Sequence, residues 1–376
     1  MDTMLYDYSI PAISTLQSSL SDAAPFMELM SKVFDPKYAF LIYSPLAYLL
    51  DPKVGKKLIM TTAIAEWLNQ ILKWFLHGER PYWYVYSSGH FDPQQTPIKQ
   101  FPITCELGPG HPSGHAMVTA AVWYVILSSL QQAYTNYQCQ RQQVHDLRHN
   151  FGSQAATWGL YATLLAVVSV SRVFLGCHFP HQCLAGAALG LLVARYISQQ
   201  DIKAMHYVGA SLVLFATAFG TFGLLQTLGF DPSWTIKLAT THCVKREYIH
   251  LDTAPFFSIM RYCGFALGCG LGLLFPLKQY ANQLVPVEAQ LIVEGPATAA
   301  GEPVVVTSAS GELYADAKNP LSSHNISWLS FKLVMAMLMA RLVDDLGLFV
   351  SHANLPVFYS AAFAAYTLFS YAFTNL

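Results

Sequence analysis

A long apolar run of the chain ends in the stretch Ser171-Arg172-Val173-Phe174-Leu175-Gly176-Cys177-His178-Phe179-Pro180-His181-Gln182. This stretch places an arginine, Arg172, six positions before a histidine, His178. A guanidinium can hold two phosphate oxygens with a planar fork of donors, and an imidazole can attack phosphorus. Arginine and histidine also end many apolar helices simply at the water interface. Other parts of the sequence have to decide between these two interpretations.

The composition of the chain is that of a membrane protein. Of its 376 residues, 53% are hydrophobic and only 11% are charged. Soluble domains carry roughly twice that charged fraction. The composition therefore predicts an all-α, polytopic protein of the lipid bilayer. The formal net charge of −1 gives no reason to expect a nucleic-acid partner.

The cysteines and the first residues give no sign of a metal site, a disulfide framework or a signal peptide. The 7 cysteines show neither a C-x-x-C motif nor a zinc spacing, so they indicate neither a metal site nor a disulfide framework. The first residues, Met1-Asp2-Thr3-Met4, include no basic segment, so no cleavable signal peptide is expected.

Apolar segments predict nine transmembrane helices, and the first of them is short for a span. The predicted spans are residues 38–50, 58–76, 116–134, 155–175, 183–197, 207–228, 256–277, 328–346 and 355–373. Glu66, Asn69 and Lys73 interrupt the second span and should face protein rather than lipid. Small residues in the fifth span, among them Gly186 and Gly190, favour close contact with a neighbouring helix.

The segments between the spans divide one membrane domain, residues 1–376, without internal repeats. Residues 1–36 are predicted to form a surface or interfacial segment, and residues 77–115 form a loop rich in aromatics and prolines. Residues 280–325 lack helical periodicity and predict a flexible loop outside the membrane. An odd number of spans puts the termini on opposite sides, but basic residues occur on both faces and leave the orientation open.

Two further motifs accompany the opening stretch. Lys73 and Arg80-Pro81 follow the pattern K-x6-R-P, Pro112-Ser113-Gly114-His115 opens the third span, and Ser171-Arg172 and His178 follow the pattern S-R-x5-H. The three motifs, in this order, resemble the signature of the acid phosphatase and vanadium haloperoxidase superfamily. The loops that carry them lie on one face of the predicted membrane domain, so the motifs can converge.

The residue types of the signature suit the transfer of a phosphoryl group. The transition state spreads negative charge over three oxygens, which Lys73, Arg80 and Arg172 would neutralise. Ser113 and the backbone N–H groups near Gly114, at a helix start, would donate further hydrogen bonds. Because these cationic side chains take the part of a two-metal site, no metal or cofactor is expected.

The two histidines of the signature would carry the proton and bond changes. His178 is predicted to be the nucleophile that forms a phosphohistidine, and His115 to protonate the leaving alkoxide and then activate water. His178 must start neutral and His115 protonated, so their surroundings must separate two imidazole pKa values. We assign no chemical role to the nearby His111 and His181.

Within this superfamily the chain resembles the glucose-6-phosphatase catalytic subunits, most strongly from Glu66 to Arg195. The resemblance rests on Glu66-Trp67-Leu68-Asn69, Phe75 to Trp83, Lys99 to Glu106, Gly108-Pro109-Gly110, His178 to Gln182 and His250 to Phe256. It implies hydrolysis of glucose 6-phosphate to glucose and phosphate, the last step of gluconeogenesis and glycogen breakdown.

The resemblance also implies a location and a partner. It implies nine helices in the endoplasmic reticulum membrane, with a helical-bundle active site at the lumenal face. The N-terminal segment 1–36 and the active-site loop 77–115 would then be lumenal, and the loop 280–325 and the C-terminus cytosolic. A separate transporter would deliver glucose 6-phosphate to the lumen.

The chain departs from the superfamily at Gln182, where many members carry an aspartate that orients the nucleophilic histidine. A neutral amide can orient the ring but stabilises an imidazolium less than a carboxylate does. We therefore expect a carboxylate from another loop to compensate, with Asp252 the first candidate and Asp35 the second. Tyr82 and Trp83 are candidates for sugar contact, although interfacial aromatics more often serve as membrane anchors.

The C-terminal half of the chain brings two more expectations. The chain ends in Phe373-Thr374-Asn375-Leu376, without a dilysine retrieval signal, so retention works another way or the location differs. The sequon Asn325-Ile326-Ser327 falls in the predicted cytosolic loop, so no N-glycan is expected.

Other functions fit parts of the pattern. A lipid phosphate phosphatase or a broad-specificity sugar phosphate phosphatase would share the three motifs, but the lipid enzyme should carry aspartate at position 182 and fewer spans. A transporter or channel could use Lys73, Arg80 and Arg172 as an anion path, but such a path needs no ordered histidine pair. An inactive scaffold would not need every catalytic position intact.

Overall fold

The computed structural model of the chain describes residues 2–140, 147–277, 331–343 and 355–375, and nearly all regular structure in them is helical. The amino-terminal helices are α1 (Asp2–Ser19), α2 (Ala24–Val33), α3 (Pro36–Tyr38), α4 (Ser44–Leu50), α5 (Pro52–Leu76) and α6 (Pro81–Ser87). They are followed by α7 (Gly114–Gln140), α8 (Leu147–Phe174), α9 (Pro180–Ser198), α10 (Ala204–Thr227), α11 (Trp234–His242), α12 (Pro255–Leu274), α13 (331–343) and α14 (Leu355–Thr374).

Four helices in the described part of the chain are long and apolar enough to cross a membrane. These segments are Gly114–Cys139, Gly152–Phe174, Ala204–Thr227 and Pro255–Leu274. They coincide with four of the nine predicted spans, and three further predicted spans lie within α5, α9 and α14. The short span predicted at residues 38–50 is built from α3, a π-helical segment (Ala39–Tyr43) and α4. The full count of nine stays a prediction.

Two predictions fall wholly or partly outside the described residues. The span at 328–346 is described only as α13, and the loop at 280–325, with its sequon, is not described.

The surface of the described helices has the character of a membrane protein, because α10 exposes large apolar side chains such as Leu212, Val213 and Leu224. Such a surface suits lipid rather than water.

Proline and aspartate set the helix starts that matter for the site. The side chain of Asp51 accepts a hydrogen bond from the Lys53 N–H at 2.8 Å and caps α5. Prolines occupy the first turn, where no N–H partner is needed, in α5, α6, α9 and α12. At the other end of α5, His77 adopts a left-handed conformation with φ of 47°. This reversal turns the chain sharply toward Arg80.

Glycines let α9 pack against the start of α7. A Cβ at Gly186 would lie 2.5 Å from the Ser113 carbonyl oxygen, and one at Gly190 would lie 2.1 Å from the Met117 carbonyl oxygen. Both positions therefore require glycine for the observed contact. The close contact predicted for this span is confirmed, and it holds the amino-terminal ends of α7 and α9 side by side.

A short parallel ladder and a disulfide tie the loop before α7 to the segment before α12. Strand β1 (Cys105–Glu106) pairs with β2 (Ile249–His250), and Cys105 forms a disulfide with Cys243. The spacing of the cysteines gave no sign of this disulfide, because its partners lie 138 residues apart in sequence. Disulfides of this kind belong to oxidising compartments.

The amino-terminal segment packs over the loops at the same face. Gln17 of α1 donates hydrogen bonds to the carbonyls of Phe174 (2.6 Å) and Lys99 (3.0 Å), and its Oε1 accepts from the Lys99 N–H at 2.8 Å. Residues 1–36 were predicted only as a surface segment. The contacts give α1 a more definite place, against the end of α8 that carries Arg172.

Candidate active site

The fold brings the three motifs to one place. Lys73 lies in the last turn of α5 and Arg172 in the last turn of α8. Arg80 immediately precedes α6, and Ser113 immediately precedes α7. His178 lies in the turn between α8 and α9. The convergence that the topology predicted is present, and the motif arginines and histidines meet around a single carboxylate, that of Glu106.

Arg80 is fully buried and its guanidinium is fixed by backbone carbonyls. Its Nε and Nη2 donate to the carbonyls of Gly108 (2.7 Å) and Pro109 (3.1 Å), and its Nη1 donates to that of Cys177 (3.0 Å). The Gly108-Pro109-Gly110 motif therefore supplies acceptors as well as a turn. With the guanidinium held in this way, its orientation toward an anion is set before any substrate arrives.

Arg172 is also buried and reaches a residue that the sequence did not single out. Its Nη1 donates to the Ser31 hydroxyl of α2 at 2.6 Å, and its Nη2 donates to Glu106. Its Nε, in contrast, has no hydrogen-bond partner among the described residues. The amino-terminal segment therefore helps to position the second arginine of the signature.

Glu106 lies at the centre of the charged cluster. Its Oε2 is 2.9 Å from Arg80 Nη1 and 3.9 Å from His178 Nε2, and its Oε1 contacts Arg172 and lies 3.8 Å from His115 Nδ1. The carboxylate thus occupies the position, between two guanidiniums and two imidazoles, that suits a phosphoryl group. Sequence reasoning missed it because an acid repels an anionic substrate, and only the convergence of the loops reveals its place.

The hydrogen bonds of His178 fix which ring nitrogen can act. Its Nδ1 lies 2.8 Å from the Gly110 carbonyl oxygen and 3.3 Å from Gln182 Oε1. Both atoms can only accept, so Nδ1 carries the proton and Nε2 keeps its lone pair. Nε2 in turn lies 3.4 Å from Arg80 Nη1 and faces the charged cluster. This tautomer is the one that a nucleophilic Nε2 requires.

Gln182 does more than replace an aspartate. It is fully buried, donates from Nε2 to the Glu79 carbonyl at 2.8 Å and accepts from the Phe179 N–H at 3.1 Å. An aspartate could not make the first of these hydrogen bonds, because a carboxylate has no N–H to donate. The structure therefore gives a reason for an amide at this position.

The two carboxylates expected to compensate for Gln182, those of Asp252 and Asp35, have other partners in the structure. Asp252 Oδ1 lies 3.9 Å from His250 Nδ1, and the structure does not bring Asp252 to His178. Asp35 caps α3 by accepting from the Lys37 N–H at 2.9 Å. The partner of His178 Nδ1 is instead a backbone carbonyl, which is available because Gly110 lies against the loop at Glu79.

The start of α7 places the other residues of the second motif. Ser113 and His115 are buried, and the Ser113 hydroxyl accepts from the Ala116 N–H at 3.5 Å. A Cβ at Gly114 would lie 3.2 Å from Asn69 Oδ1, so the helix start and α5 are in close contact. An anion at this helix start would face the N–H groups of Gly114 and His115, as anions do at other helix amino-termini.

Burial and charge set the protonation states in the cluster. Burial lowers the pKa of His178 well below its usual value, and Arg80 lowers it further, which keeps the ring neutral. Burial raises the pKa of Glu106, but Arg172 and Arg80 outweigh this effect and hold that pKa well below its usual range. A neutral imidazole and an ionised carboxylate are the resulting states at neutral pH.

A polar cavity adjoins the cluster on the side of His115. Lys73, Glu106, Gly114 and His115 are among the residues that line it, whereas Arg80, Arg172 and His178 are not. A phosphoryl group in place of the Glu106 carboxylate would thus have His178 on one side and His115 with the cavity on the other. This arrangement suits in-line attack and a leaving group that departs into the cavity.

Four other residues considered from the sequence do not line the cavity, namely Tyr82, Trp83, His111 and His181. Tyr82 and Trp83 are fully buried, and the Tyr82 hydroxyl donates to the Glu106 carbonyl at 3.0 Å, beneath the site rather than in the cavity. The rings of His111 and His181 lie 5.6 Å apart and pack outside the charged cluster. In the described part of the chain no three His, Cys, Asp or Glu side chains are grouped so as to hold a metal ion.

Comparisons with known proteins agree with the geometry. The model of the PAP2 superfamily matches residues 55–205, a range that contains all three motifs. Glucose-6-phosphatase catalytic subunit 1 of Haplochromis nubilus is 37% identical over 278 residues, which are 73% of this chain and 77% of the relative. The chain belongs to the glucose-6-phosphatase family.

Further relatives show the same extent of similarity. Glucose-6-phosphatase catalytic subunit 1 of Rattus norvegicus is 35% identical over 72% of this chain and 75% of its own length. Glucose-6-phosphatase 3 of Bos taurus is 39% identical over 64% of this chain and 68% of its own length. No solved structure matches the chain.

Proposed function

We propose that this protein hydrolyses glucose 6-phosphate to glucose and inorganic phosphate, the terminal step of glucose release. One observation carries the proposal: two fixed guanidiniums and two imidazoles surround one carboxylate, with the His178 Nε2 lone pair directed at it. The substrate is inferred from the family, because the named relatives are glucose-6-phosphatases. The enzyme is a phosphoric monoester hydrolase.

The first half of the reaction exchanges one anion for another. The phosphoryl group takes the place of the Glu106 carboxylate among Arg80, Arg172 and the amino-terminus of α7, with Lys73 at the cavity end. His178 Nε2 then attacks phosphorus, the N–P bond forms and the ester P–O bond breaks. His115 gives its proton to the departing oxygen, so glucose leaves as a neutral alcohol.

The second half reverses the proton transfer. Water enters from the side that glucose has left, and the neutral His115 takes its proton as the water oxygen bonds to phosphorus. The N–P bond breaks, and His178 returns to its neutral state with Nδ1 still donating to Gly110. Ser113 and Gly114 stabilise the equatorial oxygens through hydrogen bonds in both steps.

We further propose an endoplasmic reticulum location with the site in the lumen. The disulfide between Cys105 and Cys243 lies directly beside Glu106, and such a bond persists in an oxidising compartment. The site face would then be lumenal together with α1 and α2, and the C-terminus cytosolic. A glucose 6-phosphate transporter in the same membrane would supply the substrate.

Direct assay of the full-length protein in membranes tests the function. We expect hydrolysis of glucose 6-phosphate to exceed that of phosphatidate, the substrate of the rival lipid phosphate phosphatase. Preference for phosphatidate would reject the proposal. Mannose 6-phosphate should be the weaker substrate of the two hexose esters, and equal rates would favour a broad-specificity sugar phosphate phosphatase.

Trapping of the intermediate tests the mechanism. With substrate labelled at phosphorus, rapid quenching should capture an acid-labile, base-stable phosphohistidine in the wild type and none in His178→Ala. His181→Ala is the matched control, since His181 lies three residues away and should leave the adduct in place. Hydrolytic activity in His178→Ala would refute the assignment of the nucleophile.

A further inference from the structure

The cavity beside His115 extends away from the charged cluster into polar surroundings. Its lining also includes Asp35, Glu66, Gln70, Asp252 and Arg261. Hydrogen-bond donors and acceptors from these side chains therefore line the cavity together. Polar groups at this depth are costly to bury unless something pairs with them.

Gln70 is the clearest sign that the cavity is built for a ligand. It lies four residues after Glu66 and three before Lys73, so the three side chains share one face of α5. The residue is 6% exposed, and its Nε2 is buried without a hydrogen-bond partner among the residues that the structure describes. An unpaired buried amide costs about 1–3 kcal/mol, which a bound hydroxyl would recover.

The ion pair of Glu66 and Arg261 is the second, independent sign. Arg261 Nη2 donates to both oxygens of Glu66 at 2.9 Å, and both residues line the cavity. In the described part of the chain, the Arg261 Nε has no hydrogen-bond partner. A charged pair between α5 and α12, which is a candidate span, is costly in a membrane protein and is typical of a functional site.

We propose that this cavity binds the hydroxyl-bearing alcohol of the substrate, and that Gln70 is a specificity-determining donor to one of its hydroxyl groups. This inference rests on the proposed function, since the alcohol is the hexose that leaves when His178 attacks. Arg261 Nε supplies a second donor, and the carboxylates of Asp35 and Asp252 supply acceptors. A hexose carries hydroxyls that both donate and accept, and so it can satisfy all four groups.

The same groups discriminate against phosphate esters without hydroxyls. An acyl or aryl group in the cavity would leave Gln70 and Arg261 unpaired, and sites that hydrogen-bond a hydroxyl reject analogues that lack it. The cavity thus explains selection on the alcohol side, while the cluster around Glu106 selects the phosphoryl group. His115 lies at the junction, where the leaving oxygen needs its proton.

The test compares two substrates in the variant Gln70→Met, which keeps the length of the side chain and removes its amide. We expect kcat/KM for glucose 6-phosphate to fall about tenfold, the equivalent of about 1.4 kcal/mol for one hydrogen bond. For p-nitrophenyl phosphate, which has no hydroxyl, kcat/KM should stay within about twofold of the wild type. An unchanged value for glucose 6-phosphate, or an equal fall for both esters, would overturn the proposal.

Two controls keep the result interpretable. Thr61→Val removes a buried hydroxyl from the same helix at a position that does not line the cavity, and it should not alter the ratio of the two substrates. If Gln70→Met proves unstable, Gln70→Leu also removes the amide without adding a charge, and it should show the same selective loss.

A product-binding measurement addresses the cavity directly. Free glucose should inhibit hydrolysis of p-nitrophenyl phosphate by the wild type, and its inhibition constant should rise about tenfold in Gln70→Met. An unchanged constant would contradict the role of Gln70. Failure of the proposed function itself is distinguishable, because the wild type would then hydrolyse p-nitrophenyl phosphate but not glucose 6-phosphate.

Discussion

Glu106 brings a negative charge to a site that must bind an anion, and this charge stabilises the two buried arginines of the site. Two buried guanidiniums without a counter-charge would cost several kcal/mol. The carboxylate pairs with both Arg80 and Arg172 and supplies this counter-charge. The substrate then competes with Glu106 for the same donors.

Replacement of this carboxylate should separate affinity from stability. In Glu106→Gln we expect vanadate to inhibit on the order of tenfold more tightly, because about 1.4 kcal/mol of competition is relieved. The free protein should lose about 3–5 kcal/mol of stability, since two buried charges lose their partner. Inhibition constants and melting temperatures with and without phosphate would measure both effects.

Glu79→Gln is the control for this change, because the Glu79 carboxylate, between α5 and α6, accepts a hydrogen bond from Trp83 outside the cluster. It should leave vanadate inhibition unaltered. Unchanged or weaker inhibition in Glu106→Gln would show that Glu106 does not compete with the phosphoryl group.

His178 predicts a specific dependence of stability on pH. Its pKa is lowered well below the ordinary value of 6.5, mainly by burial and then by Arg80, so below pH 6.5 the unfolded chain binds more protons than the folded one. Stability should therefore fall as the pH is lowered through this window, by at most about 1.4 kcal/mol per pH unit from this group. Melting temperatures between pH 7.5 and 5 would measure the slope.

The contribution of His178 is isolated by substitution. In His178→Asn the loss of stability toward low pH should be shallower than in the wild type. His206→Asn removes an exposed histidine and should keep the wild-type slope. Equal slopes in all three proteins would contradict a buried, neutral His178.

The contact between helices α7 and α9 connects the second motif to the third. The Ser113 N–H donates to the Gln182 carbonyl at 3.0 Å, so the two helix starts are joined by a backbone hydrogen bond. Gly186 and Gly190 permit this approach. The distance between His115 and His178 thus depends on small residues that take no part in the chemistry.

A methyl group at this contact should disturb the site from a distance. In Gly190→Ala the new Cβ would lie 2.1 Å from the Met117 carbonyl oxygen, so the helices must separate. We expect a loss of about 1–3 kcal/mol, as for other overpacked interiors, and a fall in kcat/KM. Thermal melting and glucose 6-phosphate hydrolysis would report the two effects.

Gly209→Ala is the matched control on α10, where a Cβ would meet nothing within 4 Å. Alanine has the higher helix propensity, so this variant should be at least as stable as the wild type. If Gly190→Ala behaved in the same way, the contact of α7 with α9 would not limit the site.

For the whole molecule, N-glycosylation can assign the site face and the opposite face to compartments. Gln94→Asn creates a sequon that ends at Thr96 in an exposed loop on the site face, whereas the natural sequon Asn325-Ile326-Ser327 falls in the predicted loop of the opposite face. If the site is lumenal, the wild type should carry no N-glycan and Gln94→Asn should carry one, seen as a mobility shift that glycosidase removes. A glycan on the wild type, with none added in Gln94→Asn, would reverse the proposed topology.

Composition and motif order determined much of this protein without a structure. Low charge and long apolar segments predict membrane helices, because unpaired backbone groups cannot be exposed to lipid. The spacing of Lys73, Arg80, Ser113, Arg172 and His178 identifies the phosphoryl chemistry, since each residue type has a role that the reaction needs. These features are local in sequence or depend only on the order of the spans.

Only the tertiary structure decided what surrounds those residues. Glu106, Ser31 and the Gly110 carbonyl reach the site from segments far apart in sequence, and the disulfide joins cysteines 138 residues apart. Asp252 was preferred as the partner of His178 because a charge was sought, whereas the fold supplies a backbone carbonyl that no side-chain pattern can reveal. Hydrogen bonds of this kind depend on the path of the chain, which is fixed by how the helices pack.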